Sequence, residues 1–145
     1  MMEENDSALE ELKRVDHLIF VTLKYTRTVD IIRNVIKRLQ SSLNFIILDV
    51  LEWAQKNGKL EQVPKAPLLR LQYLKKLFPE DKEVLKIVDF YMKIREMLLD
   101  EYKKKEEYRK NVAMVTKNYE INIDKLQKLA DETKEYVKYL MELIK

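Results

Sequence analysis

Between Asp6 and Asn57 the chain contains neither glycine nor proline, and this restricts its first third to helix more firmly than any other feature restricts the rest. Good helix formers fill the window, and no residue in it lacks a backbone donor or loosens the chain. Asp6 or Ser7 is suited to start the helical region, and Asn57-Gly58 to end it, with Gly58 in the left-handed conformation. At helical spacing Val21, Tyr25, Ile32, Ile36, Leu39, Leu43, Ile46, Val50 and Trp53 share one face, whereas Leu9, Leu12, Val15 and Ile19 lie well round from it. The phase therefore changes near Asp16 to Phe20. An unbroken helix of this length is exceptional in a globular domain, so a break or kink is expected at Asp16-His17 or in the stretch Thr26 to Asp30.

The next segment, KLEQVPKAP at 59–67, reads as the clearest loop because Pro64 and Pro67 push their predecessors toward extended conformations. It separates an N-terminal helical hairpin from the rest of a single domain, 1–145. LLRLQYLKKLF then reads as a short basic helix ending before Pro79. A longer one follows over EDKEVLKIVDFYMKIREMLLDEY, with Pro and three acids in its first turn and Val84, Val88, Tyr91, Ile94, Leu98 and Tyr102 as its apolar face. A last helix begins at Asn122 or Asp124, with Leu126, Leu129, Thr133, Tyr136, Leu140 and Leu143 at helical spacing. The expected fold is all-α, an antiparallel bundle of four or five helices, with no strand.

Within that bundle, residues 94–102 read IREMLLDEY and carry the one candidate motif. The segment resembles the signature of the HEPN family (higher eukaryotes and prokaryotes nucleotide-binding), in which an Arg, often followed by Asn, precedes a His by five positions. Arg95 stands at the Arg position, Glu96 replaces the Asn, Asp100 replaces the His, and Glu101-Tyr102 complete the tail. The helix order is similar to the family's over most of the chain. In active members the resemblance implies a metal-independent ribonuclease whose paired subunits line one cleft, or a toxin component. Here the departure falls on the essential residue. A His exchanges protons near neutral pH, whereas Asp is a fixed anion that repels a phosphodiester. The segment therefore reads as a degenerate, non-catalytic version of the motif, beside the alternative of an ordinary charged helix. An active ribonuclease using Arg95, Asp100 and Tyr102 with a base supplied by substrate or partner is the competing reading.

Charge points toward recognition. The net charge of +3 is too small to mark the whole molecule as a nucleic-acid binder, but from Lys13 to Arg38 seven bases face two acids, Asp16 and Asp30. Lys24, Arg27 and Arg38 gather on one polar side of the helical region, and Arg33 and Lys37 on another. These five residues and Arg95 form the candidate binding set for RNA or a partner protein. The run DEYKKKEEYRKNV, 100–112, interleaves Lys103, Lys104, Lys105, Arg109 and Lys110 with Tyr102 and Tyr108; it reads either as an RNA surface or, with Glu106 and Glu107 pairing the lysines, as a solvated helix end. Phe20 and Ile31 project beside the main apolar arc as candidate contacts of a homodimer. A purely structural bundle is the remaining alternative.

Several chemistries are disfavoured by what the chain lacks. Without cysteine there is no thiolate site or disulfide, and with His17 as the single histidine no transition-metal or di-iron set forms, so no metal is expected. One glycine, Gly58, makes no phosphate loop, and Ser7, Ser41 and Ser42 have no base beside them, so no cofactor is expected. The most apolar stretch, LNFIILDVLEWA, is interrupted by Asp49 and Glu52 well short of a bilayer span, and MMEENDSALE is acidic where a secretory signal would be basic. A cytoplasmic location is expected, and abundant Lys and Glu with no Cys suit a heat-adapted source.

Overall fold

A computed structural model describes residues 6–145. The N-terminal helical region runs as α1 (Asp6–His17), a π-helical turn (Leu18–Thr22) and a last short turn α2 (Leu23–Tyr25), then breaks at 26–28 before α3 (Val29–Lys56). Both candidate breakpoints thus matter, in different ways. At Asp16-His17 the helix does not stop but widens into the π turn, whose extra residue shifts the apolar phase. The chain reverses at Thr26–Thr28, where the Thr28 side chain accepts the Ile31 amide and caps α3.

The reversal folds α1 back along α3. Ala8, Leu12, Val15, Ile19 and Leu23 face the partner helix, and the buried Ser42 hydroxyl donates to the Ala8 carbonyl at 2.9 Å where the backbones approach. Val21 and Tyr25, expected on the main arc, point to solvent instead, because the π turn rotates them off it. From Ile32 to Ala54, α3 buries residues on two sides and packs against α1, α4 (Pro67–Leu77), α5 (Lys82–Leu99) and α6 (Ile123–Leu143). It is the axis of the core.

Local chemistry closes these helices as the residues dictate. Gly58, at φ +72°, ends α3 with Lys59 N–H donating to the Ala54 carbonyl and Gly58 N–H to that of Gln55. Pro67 opens α4. Asp81 caps α5 by accepting the Val84 amide, so Pro79 and Glu80 precede the helix rather than fill its first turn, where Glu83 is the acid. Asn122, one of the two expected starts, caps α6.

The fold is mostly helical, and it departs from a pure bundle at 102–122. There the chain forms an antiparallel three-stranded sheet in the order β1 (Tyr102–Lys105), β2 (Ala113–Thr116), β3 (Glu120–Asn122). Lys104 pairs with Met114, and Met114 with Ile121, so the buried Met114 and Ile121 join the core beside α3 and α6. α5 therefore ends at Leu99, and Tyr102, expected on its apolar face, opens a strand. The lysines of β1 line a sheet edge, where charge discourages pairing with another chain. No helix among the described residues is long and apolar enough to cross a membrane.

Candidate functional site

The β1–β2 loop reaches back across the molecule to the break between α2 and α3. Glu107 Oε2 accepts the Val29 amide at 2.8 Å, and the Tyr108 amide donates to the Arg27 carbonyl at 2.7 Å. Lys104 adds contacts to Asp30 at 3.5 Å and to Glu107 at 3.7 Å, and the two carboxylates raise its pKa. Two loops distant in sequence are thereby tied into one tip. Glu106 and Tyr108 hold positive φ, 54° and 68°, a conformation that costs a side-chain-bearing residue energy, and the loop they belong to is bonded to Arg27 and Val29.

This tip exposes two tyrosines, Tyr25 at 85% and Tyr108 at 74%. Lys24, Arg109 and Lys110 are exposed and Arg27 half-exposed around them, none with a carboxylate partner among the described residues. Of the acids nearby, Asp30 and Glu107 are engaged with Lys104, and Glu107 also with the α3 amide; Glu106 is the acid left over. The run 100–112 is therefore not a helix end, and the expected pairing of its lysines holds in part: Glu107 pairs Lys104, Lys105 meets Glu120 at 3.2 Å, and Glu106 pairs no lysine among the described residues. Its turn is what builds the tip.

The expected basic set divides. Lys24 and Arg27 lie at the tip, and Lys37 is exposed further along α3. Arg33 and Arg38 are structural. Arg33 Nη2 donates to the Leu98 carbonyl at 2.7 Å, closing the end of α5, and its guanidinium lies 4.5 Å above the Tyr102 ring. Arg33 Nη1 is buried without a hydrogen-bond acceptor among the described residues, and the ring face supplies the compensation that an acceptor would. Arg38 reaches Glu11 at 3.1 Å, and Arg14 holds the same carboxylate at 2.7 Å, so a 6%-exposed glutamate of α1 is neutralised from two helices.

The motif residues are likewise separated. Asp100 is the C-cap of α5, in extended conformation, with its amide on the Glu96 carbonyl. Glu96 receives Asn118 at 2.7 Å and the Tyr119 hydroxyl at 3.1 Å; burial, then this carboxylate, raises the pKa of Tyr119. Tyr102 lies under Arg33. Arg95 instead lines an open pocket with Gln40 and Asn44 of α3, at least seven residues and so about 10 Å along the helix from Arg33. Arg95, Asp100 and Tyr102 thus have three different surroundings. His17 is exposed, and no group of three or more His, Asp or Glu side chains placed to hold a metal occurs among the described residues.

The bond of Glu107 to the Val29 amide and that of Tyr91 to Asn44 escaped the sequence reading, since the partners lie 78 and 47 positions apart. In comparison with known proteins, no family model, no curated protein and no solved structure matches the chain.

Proposed function

We propose that the chain is a non-catalytic recognition module that binds single-stranded RNA at the tip formed by 24–28 and 106–110. The observation that carries this reading is the bond from the Tyr108 amide to the Arg27 carbonyl, which brings together two exposed tyrosines and four basic side chains without a carboxylate partner among the described residues. Aromatic rings provide stacking surfaces for any base, and cations beside them hold the phosphates; together these features suit an unpaired strand better than a duplex. Arg33 and Arg38, committed to Leu98, Tyr102 and Glu11, have no part in it.

The same proposal treats the chain as a degenerate HEPN-like member without nuclease activity. Asp100 caps a helix and Tyr102 stacks under Arg33, an arrangement that supports a structural use of the motif. Purified protein is expected to cleave RNA no faster than its Arg95→Ala variant. A homodimer belongs to the proposal through Phe20 and Val21, an exposed apolar pair on the π turn; Ile31, packed against the core, drops out of that surface. Light scattering on the Phe20→Asp variant tests the contact, with dissociation expected.

Anisotropy of a labelled single-stranded RNA against salt concentration tests the binding. Log affinity should fall by about 0.7 per log unit of salt for each phosphate neutralised, and Lys24→Glu with Arg109→Glu should abolish binding. Tyr108→Ala should weaken it by about 1–3 kcal/mol. Unchanged affinity in both variants would rule the tip out.

A further inference from the structure

The pocket beside Arg95 has a different chemistry from the tip. It is open, of about 380 Å³, walled by α3, α5 and the first turn of α4. Arg95 is half-buried in it and makes no hydrogen bond or ion pair with any described residue. The other helical arginines are all engaged: Arg14 and Arg38 by Glu11, Arg33 by Leu98, and Arg70 by the Pro64 carbonyl at 2.7 Å. No acid lines the pocket. Glu96, the nearest in sequence, is held by Asn118 and Tyr119. A guanidinium in partial burial without a counter-charge leaves electrostatic stabilisation unrealised, which an arriving anion would supply.

The neutral groups narrow the anion. The buried Tyr91 hydroxyl donates to Asn44 Oδ1 at 2.7 Å, which fixes the amide so that its Nδ2 hydrogens remain as donors beside Arg95. Burial raises the Tyr91 pKa, against the opposing effects of the Asn44 bond, Arg95 and Arg70, so the hydroxyl stays protonated and adds no negative charge at neutral pH. One lining cation with amide donors matches a singly charged, planar acceptor rather than a phosphate dianion. Leu68 of the pocket wall is exposed, as are Met92 and Leu99, three before and four after Arg95 on the same side of α5. This surface gives the anion an apolar body to cover.

We infer that the Arg95 pocket is a carboxylate-binding site, taking an acid with an apolar body through the Arg95 guanidinium and the Asn44 amide. The site is independent of the tip and of its RNA reading. Its carboxylate comes from a free organic acid or from an acidic side chain flanked by aliphatic residues, and one titration separates these sources.

The Arg95 Nε–H signal is followed by proton–nitrogen NMR while hexanoate, benzoate, inorganic phosphate, or a blocked leucyl-glutamyl-leucine peptide and its glutaminyl counterpart are added. Saturable shifts are expected with at least one carboxylate probe, weaker binding with phosphate, and a loss of roughly tenfold or more in Arg95→Gln measured through the Leu68 and Asn44 signals. Saturation by hexanoate or benzoate identifies a free acid; saturation by the glutamyl but not the glutaminyl peptide alone identifies a polypeptide. Because Arg95 holds no partner among the described residues, Arg95→Gln should keep the native melting temperature, and Lys24→Glu should bind the probes like the native chain. Absence of saturation with every carboxylate, tighter binding of phosphate, or equal affinity in Arg95→Gln would overturn the assignment.

Discussion

Glu107 accepts the backbone amide of Val29 at 2.8 Å, so a loop residue 78 positions downstream completes the start of the longest helix. The carboxylate meets the positive end of α3 beside the Thr28 hydroxyl, which satisfies a different amide, that of Ile31. Glu107→Ala should therefore lower stability by about 1 kcal/mol in urea denaturation, and Thr28→Ala by a similar amount. Glu107→Gln, which keeps an acceptor and loses the charge, should cost less. Equal stability of Glu107→Ala and native protein would mean that the loop does not cap α3.

Arg33 and Lys37 lie one turn apart on α3 and should respond to substitution in opposite ways. Arg33→Ala removes the bond to the Leu98 carbonyl and the stacking on Tyr102, at a cost of about 1–3 kcal/mol. Lys37→Ala should stay within about 0.5 kcal/mol of native, as exposed substitutions generally do. Arg33→Lys should recover little, because an ammonium lacks the planar surface that stacks on the ring. Thermal melting of the three variants measures the contrast.

The buried carboxylate of Glu11 depends on Arg38 and Arg14 together. Arg38→Ala leaves it with one largely exposed partner and should cost about 1–3 kcal/mol, since hydrogen bonds to charged groups lie in that range. Glu11→Gln combined with Arg38→Ala should cost less than Arg38→Ala alone, because no buried charge is then left short of partners. A double-mutant cycle by chemical denaturation checks the coupling.

Alkaline pH should weaken the fold in part through Tyr139. Its hydroxyl donates to Asp81 Oδ2 at 2.6 Å, and that bond, with desolvation and the charge of Asp81, raises its pKa from 10.0 to about 12. Below pH 10 both the folded and unfolded chains hold this proton and the contribution is complete. From pH 10 to about 12 the unfolded chain releases it first, so stability falls as pH rises. Melting temperature should drop less steeply over this window in Tyr139→Phe than in the native chain. Parallel slopes would show that the bond is not maintained in solution.

How far the fold could be read in advance depended on where each element's determinants lie. Gly58 ends α3, and Asn122 starts α6, because a helix cap is decided by residues within one turn of the boundary. The buried face Leu126, Leu129, Thr133 and Leu140 was equally legible, since helical periodicity states which residues share a side. The strands were not. They are three and four residues long, too short for alternation to register, and their loop places Glu106 and Tyr108 at positive φ where glycine would have signalled a turn.

By itself the sequence determined the helical first third, the stop at Gly58, the start of α6 and the separation of a basic segment from an acidic one, all properties of neighbours along the chain. Only the tertiary structure decided that Thr26–Thr28, not Asp16-His17, is the reversal, that Arg33 and Arg38 are bound internally, and that Arg95 opens into a pocket without a counter-charge. An arginine on a helix surface contributes the same pattern whether it faces water, a carbonyl or a glutamate. What it meets depends on chain segments 27 and 65 residues away for Arg38 and Arg33, and only packing brings those segments together.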